Sequence, residues 1–134
     1  MTELLPLLAW VHLELGEVAQ AADVVARAIA RARRQTQHVS LVNALRVQAL
    51  VAIRQERWDE AARSLEEALA LTRRMGYPYG EARVLHVYGL LHARKGEMDP
   101  VRERLEASLA IFRHLGARKD AARTAQAIAD LPCP

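Results

Sequence analysis

Cysteine is all but missing from this chain. The single thiol, Cys133, lies between two prolines near the C-terminus, so no internal disulfide can staple the fold. A lone cysteine makes a reducing, cytoplasmic setting the expectation. Glycine and proline are also scarce, six and five among 134 residues, which leaves long stretches without a helix breaker. Aromatic residues are few, with one Phe, two Trp and three Tyr. No apolar run approaches the roughly 18 to 20 residues that cross a bilayer, and the basic segment and cleavage site of a secretory leader are lacking. Charge of one sign is not concentrated anywhere. The 19 basic and 16 acidic residues are interleaved, and their net of +3 reads as solvated helix faces instead of a nucleic-acid stripe. There is no G-x-x-x-x-G-K-[ST] phosphate loop, no His-x3-His pair and no recognisable DNA-reading module. Neither a cofactor, a metal, a membrane nor direct contact with nucleic acid is therefore expected.

What is present is apolar, at 51% of residues, and mostly Ala, Leu and Val. A single domain of this length buries a substantial core, and Ala and Leu favour packed helices over a sheet. The sequence also repeats. A shift of 40 residues aligns Leu5 with Leu45 and Leu85, Ala30 with Ala70 and Ala110, and Arg33 with Arg73 and Arg113. Each copy reads as two amphipathic helices, near 3–15 and 18–35, near 39–55 and 58–75, and near 79–94 and 98–115. A last helix near 117–131 closes the chain. In the second helix of each pair, apolar residues fall on one face: Val18, Ala21, Val25, Ala28 and Ile29; then Trp58, Ala61, Leu65, Ala68 and Leu69; then Met98, Val101, Leu105, Ser108 and Leu109. The expected fold is all-α, a right-handed α-solenoid of antiparallel helix pairs. It forms one domain over 1–134, with repeats at about 2–37, 38–77 and 78–116 and a capping helix at 117–131.

The boundaries carry stop and start chemistry. Gly16 and Gly96 fall between the helices of a pair, and Gly76 and Gly116 follow the second helix, where a left-handed residue ends a helix at no steric cost. Asp99 with Pro100 has the form of an N-cap followed by a first-turn proline, and Pro78 opens the preceding helix in the same way. Ala21, Ala28, Ala61 and Ala68 leave room for side chains of neighbouring helices.

These positions resemble the tetratricopeptide repeat, whose first helix carries W-x2-L-G-x2-Y and whose second carries A-x3-F and a later Ala. Ala61, Leu65 and Ala68 take the second-helix places, while Leu85, Tyr88, Gly89 and His92 take the W, L, G and Y places. The first copy follows more loosely through Leu5, Leu8, Ala9, His12, Gly16, Ala21, Val25 and Ala28. The period is 40 where the common form has roughly 34, and the closing proline is absent. The additional residues lengthen the second helix and its turn, as in Leu71–Tyr77 and Ile111–Ala117. That longer unit is similar to the sensor regions of maltose-regulator-like bacterial signalling ATPases and transcriptional activators. The resemblance implies a protein-interaction scaffold, with no catalytic residues, inside a signalling or transcription-regulating system. The alternative it implies is a sensor domain that holds a small-molecule inducer.

A solenoid presents the first helix of each pair along a concave surface. Repeat mapping places Trp10 and Glu14, then Asn43, Arg46, Leu50 and Arg54, then Arg83, His86, Leu90 and Arg94, and finally Arg123 and Gln126 on that surface. Its basic character suits an acidic protein or peptide, because guanidinium forks onto carboxylates. The competing account is a soluble Arg-rich surface with no ligand. His12 and His92 share a repeat position and read as half-buried packing residues. The acid pairs Asp59-Glu60 and Glu66-Glu67 lie beside Arg57 and Arg63 and read as helix-surface ion pairs. The first helix is apolar around most of its circumference. Leu4, Leu7, Leu8, Trp10 and Val11 mark it as a surface covered by preceding repeats or by a second copy in a homodimer.

Overall fold

A computed structural model describes residues 9–11, 13–14, 16–34 and 37–131. Residues 9–11 and 13–14 are helical. Six further helices follow: α1 (Val18–Arg34), α2 (His38–Arg54), α3 (Trp58–Met75), α4 (Pro78–Lys95), α5 (Met98–Leu115) and α6 (Arg118–Ala129). No strand occurs among the described residues, and α1 packs on α2 while α5 packs on α4 and α6, as an all-α helix-pair fold requires. The chain divides into two compact units, residues 1–71 and 72–134. The division falls within α3, and each unit is described by itself.

The helices end in a common way. At the ends of α1 to α5 an amide reaches back to a carbonyl five residues earlier: Gln37 to Ala32 at 3.0 Å, Arg57 to Ala52 at 2.8 Å, and Tyr77 to Thr72, Glu97 to His92 and Ala117 to Phe112 at 2.9 Å each. This is the six-to-one bond of a Schellman ending, which satisfies carbonyls that the helix leaves unpaired. It needs one residue of positive φ, and Gly76, Gly96 and Gly116 supply it at 66°, 79° and 73°. At the end of α2 the same conformation is held by Glu56, with φ 58°. From α1 to α5 these endings recur every 20 residues, so that the helices of the 40-residue repeat are nearly equal, 17 or 18 residues each.

In the first unit, α1 buries Ala21, Val24, Val25, Ala28, Ile29 and Ala32 along one face. Helix α2 is different, since its ten buried residues run from Ser40 to Ile53 with no wide polar side. Repeat alanines make the close approach possible: Ala21, Ala28, Ala61 and Ala68 are all at most 1% exposed. Helix α2 is joined to α3 by Ser64 Oγ, which donates to Gln48 Oε1 at 2.7 Å. Arg33 near the end of α1 grips the Glu67 carboxylate of α3 with both guanidinium nitrogens, at 2.7 and 2.9 Å. Local pairing along a helix, expected for the acid pairs, holds for Arg57 with Glu60. For Glu67 it gives way to a bond across copies, because the fork of Arg33 matches both carboxylate oxygens.

In the second unit, α4 buries Ala82, Val84, Leu85, Val87, Tyr88 and Leu91. Helix α5 meets it with Val101, Leu105, Ser108 and Phe112. Gly89 admits this contact, as a Cβ there would lie 2.8 Å from Leu105 Cδ2 and 2.9 Å from its Cγ. Ser108 stands where the other copies have Ala28 and Ala68, and its buried hydroxyl donates to the Ala82 carbonyl at 2.7 Å.

Two details differ from the sequence reading. Glu97, not Asp99, is the N-cap of α5. The first intrahelical donor is Val101, bonded to the Glu97 carbonyl, so Pro100 occupies the last position whose missing N–H costs nothing. Met98, assigned to the packed face, is 38% exposed. It opens the helix, and its equivalents Val18 and Trp58 are only half-buried.

Candidate binding surfaces

The first-helix positions assigned to ligand binding divide by environment. In the first unit, Asn43, Arg46 and Leu50 of α2 are half-buried and Arg54 is exposed. Leu50 rests on the cluster of Leu13, Ala21 and Val51. Arg54 Nη1 donates to the Leu13 carbonyl at 3.4 Å, so this guanidinium also serves the end of the preceding helical segment. Trp10, Val11 and Glu14 are exposed, with Trp10 at 43% and Val11 at 39%. Leu4, Leu7, Leu8, His12 and Cys133 lie outside the described residues.

In the second unit the same repeat positions are Arg83, His86, Leu90 and Arg94 of α4. Arg83 places its guanidinium 5.6 Å above the Tyr79 ring. His86 Nδ1 lies 3.0 Å from Thr124 Oγ1, and Thr124 is the buried residue of α6. Leu90 and Arg94 are exposed. Arg123 is exposed on α6, and Gln126 Nε2 donates to Asp130 one turn on, at 2.8 Å. The freest side chains of the set are thus Leu90, Arg94 and Arg123, while Arg54, Arg83 and His86 also brace helices.

A cluster that repeat mapping did not single out joins α4 to α5. Arg104 lies 4.2 Å over the Tyr88 ring, and His92 stacks on the same tyrosine at 5.4 Å and 16°. His92 Nδ1 is 3.1 Å from Glu97 Oε1, and Lys95 Nζ is 3.4 Å from that oxygen. The hydrogen bond to His92 and then the Lys95 ammonium hold the Glu97 carboxyl below its ordinary range. His92 is the half-buried packing residue the sequence suggested. The i, i+4 spacing of Tyr88 and His92 was the readable signal; the position of Arg104 depends on how α5 docks.

Two open hollows lie on the first unit. One is lined by Arg27, Ala30, Arg31 and Arg34 of α1. The other is lined by Glu56, Arg57, Trp58, Asp59 and Glu60 at the turn into α3. Among the described residues, no three His, Cys, Asp or Glu side chains are grouped to hold a metal ion. Nor is any helix among them long and apolar enough to cross a membrane.

A family model described as tetratricopeptide repeat matches residues 40–114, more than half of the chain. The chain belongs to the tetratricopeptide repeat family. No curated protein matches it. The matched span runs from the start of α2 almost to the end of α5, and the first copy, the loosest in sequence, lies outside it. Tetratricopeptide repeats generally mediate protein–protein interaction and act as scaffolds.

Proposed function

We propose that this tetratricopeptide repeat chain binds an acidic protein segment on the second unit, through the exposed Leu90 and Arg94 of α4 and Arg123 of α6, as the interaction region of a cytoplasmic bacterial signalling or transcription-regulating protein. The carrying observation is a spacing that recurs between copies. Leu50 and Arg54 on α2 are matched 40 residues later by Leu90 and Arg94 on α4, an apolar residue one turn before an arginine. An apolar anchor beside a guanidinium suits a partner with a carboxylate next to an apolar side chain. The regulatory context rests on the likeness of the segments Leu71–Tyr77 and Ile111–Ala117 to those of regulator sensor regions. A small-molecule inducer would call for an enclosed apolar pocket, whereas the hollows beside Arg31 and Glu56 are open.

Binding of fluorescent acidic, neutral and basic peptides, each with apolar anchors, tests the reading. The acidic set should bind, weaken with salt, and lose about tenfold in affinity, or about 1.4 kcal/mol, in Arg94→Glu. Equal binding of all three sets, or indifference to Arg94→Glu and Arg123→Glu, overturns it.

A further inference from the structure

The three copies serve as controls for one another, and the first unit departs from them at two charged places, the half-buried Arg31 and the exposed Glu56. Position 31 is Arg31, where the second and third copies have Leu71, which is buried, and Ile111, which is half-buried. A helix C-terminus favours a cation equally in all three copies, so the dipole alone does not explain an arginine in this one. Position 56 is Glu56, where the other copies have Gly16 and Gly96. All three adopt positive φ, at 80°, 58° and 79°, and only the glutamate has a Cβ to strain there. Strain that a glycine would remove is often kept for function.

Each departure lines one of the two hollows, and the hollows are opposite in sign. In the basic one Asp23 pairs with Arg27 at 3.3 Å, while the side chains of Arg31 and Arg34 have no partner among the described residues. In the acidic one Arg57 pairs with Glu60, while the side chains of Glu56 and Asp59 have no partner among the described residues. Two guanidiniums and two carboxylates, each without a side-chain partner among the described residues, thus face solvent at complementary hollows.

We propose that the Arg31–Arg34 hollow of one copy receives the Glu56–Asp59 turn of a second copy, so that the chain associates with itself head to tail. The contact is heterologous. Each copy keeps one basic and one acidic surface free, and association continues until the chain of copies closes. Exposed ion pairs contribute little each, so the association is weak and confined to low salt.

Sedimentation velocity of the full chain tests it as salt is raised from about 0.01 M to about 1 M, over which the screening length falls from roughly 30 Å to 3 Å. Species heavier than 15.0 kDa are expected at low salt and should be lost at high salt. Glu56→Gly, which keeps the turn, should reduce association. Arg34→Glu and Asp59→Arg should each remain monomeric alone and recover association when mixed, because each then offers what the other lacks. Arg34 is exposed, so its reversal leaves the core intact. A monomer at low salt overturns the proposal, as does a mixture that stays monomeric. Association that survives high salt overturns it too, and points instead to the exposed Trp10 and Val11.

Discussion

Tyr79 at the start of α4 donates its phenolic hydrogen to Asp120 Oδ2 of α6 at 2.9 Å, across 41 residues of chain. The same ring meets Phe112 of α5 edge-on at 5.8 Å and lies under the Arg83 guanidinium. One tyrosine therefore touches both helices that follow it. His86 and Thr124 repeat the α4 to α6 link one turn farther along α6, which is how a short helix with a single buried residue is held in place.

Tyr79→Phe keeps the ring contacts and removes only the hydroxyl. The expected cost is about 1 kcal/mol, the usual net value of a partly buried hydrogen bond. Urea denaturation measures it. Amide exchange should show the loss in α6 first, because the other ring contacts of Tyr79 survive the substitution.

The same bond makes stability depend on alkaline pH. Burial first, and the hydrogen bond to Asp120 second, raise the Tyr79 hydroxyl above its ordinary value of 10.0, against a smaller opposing effect of Arg83. The folded state thus holds this proton more tightly than the unfolded chain does. Its contribution is complete below pH 10.0 and is lost as the pH rises through the folded value. Above about pH 10, wild-type stability should fall more steeply than that of Tyr79→Phe. Parallel curves would refute the assignment.

Gly89→Ala sets two effects against each other. Alanine gains about 1 kcal/mol of helix propensity in α4. Its Cβ would approach Leu105 at 2.8 and 2.9 Å, and Leu105 is only 2% exposed, so it has nowhere to move. Overpacking of this kind costs about 1–3 kcal/mol, and the net expectation is a loss of about 1 kcal/mol in thermal or urea unfolding. A more stable variant would show that α5 can retreat from α4 without penalty.

Much of this fold was legible because helix faces and helix ends are local chemistry. The spacing of Ala61, Leu65 and Ala68 placed the buried face of α3, and all three are fully buried. The glycines at 76, 96 and 116 marked helix ends within a residue. What stayed hidden depends on the distance between helices. Glu67 and Arg63 are neighbours in sequence, yet the partner that Glu67 takes is Arg33, 34 residues away. His86 was assigned to a ligand-facing surface by repeat position alone, and its bond to Thr124 appears only once α6 is docked. Periodicity tells which side of a helix is packed; it does not tell which of the polar residues at the edge of that side are already engaged.

Glu56→Gly tests a helix end where a glutamate stands in the place of the Gly16 and Gly96 of the other copies. A residue with a Cβ in the left-handed region costs roughly 1–2 kcal/mol, and Glu56 bears that cost at φ 58° while its amide bonds the Ile53 carbonyl at 3.1 Å. Glycine there adds conformational freedom to the unfolded chain, which offsets part of the relief. The expected outcome is a gain of about 0.5–1 kcal/mol, read as a higher midpoint in urea with an unchanged slope. Glu56→Ala separates backbone from charge: it retains the Cβ and removes only the carboxylate, so its stability should stay within about 0.5 kcal/mol of wild type. A gain in both variants would trace the cost at this turn to acidic crowding with Asp59 and Glu60 instead of to φ.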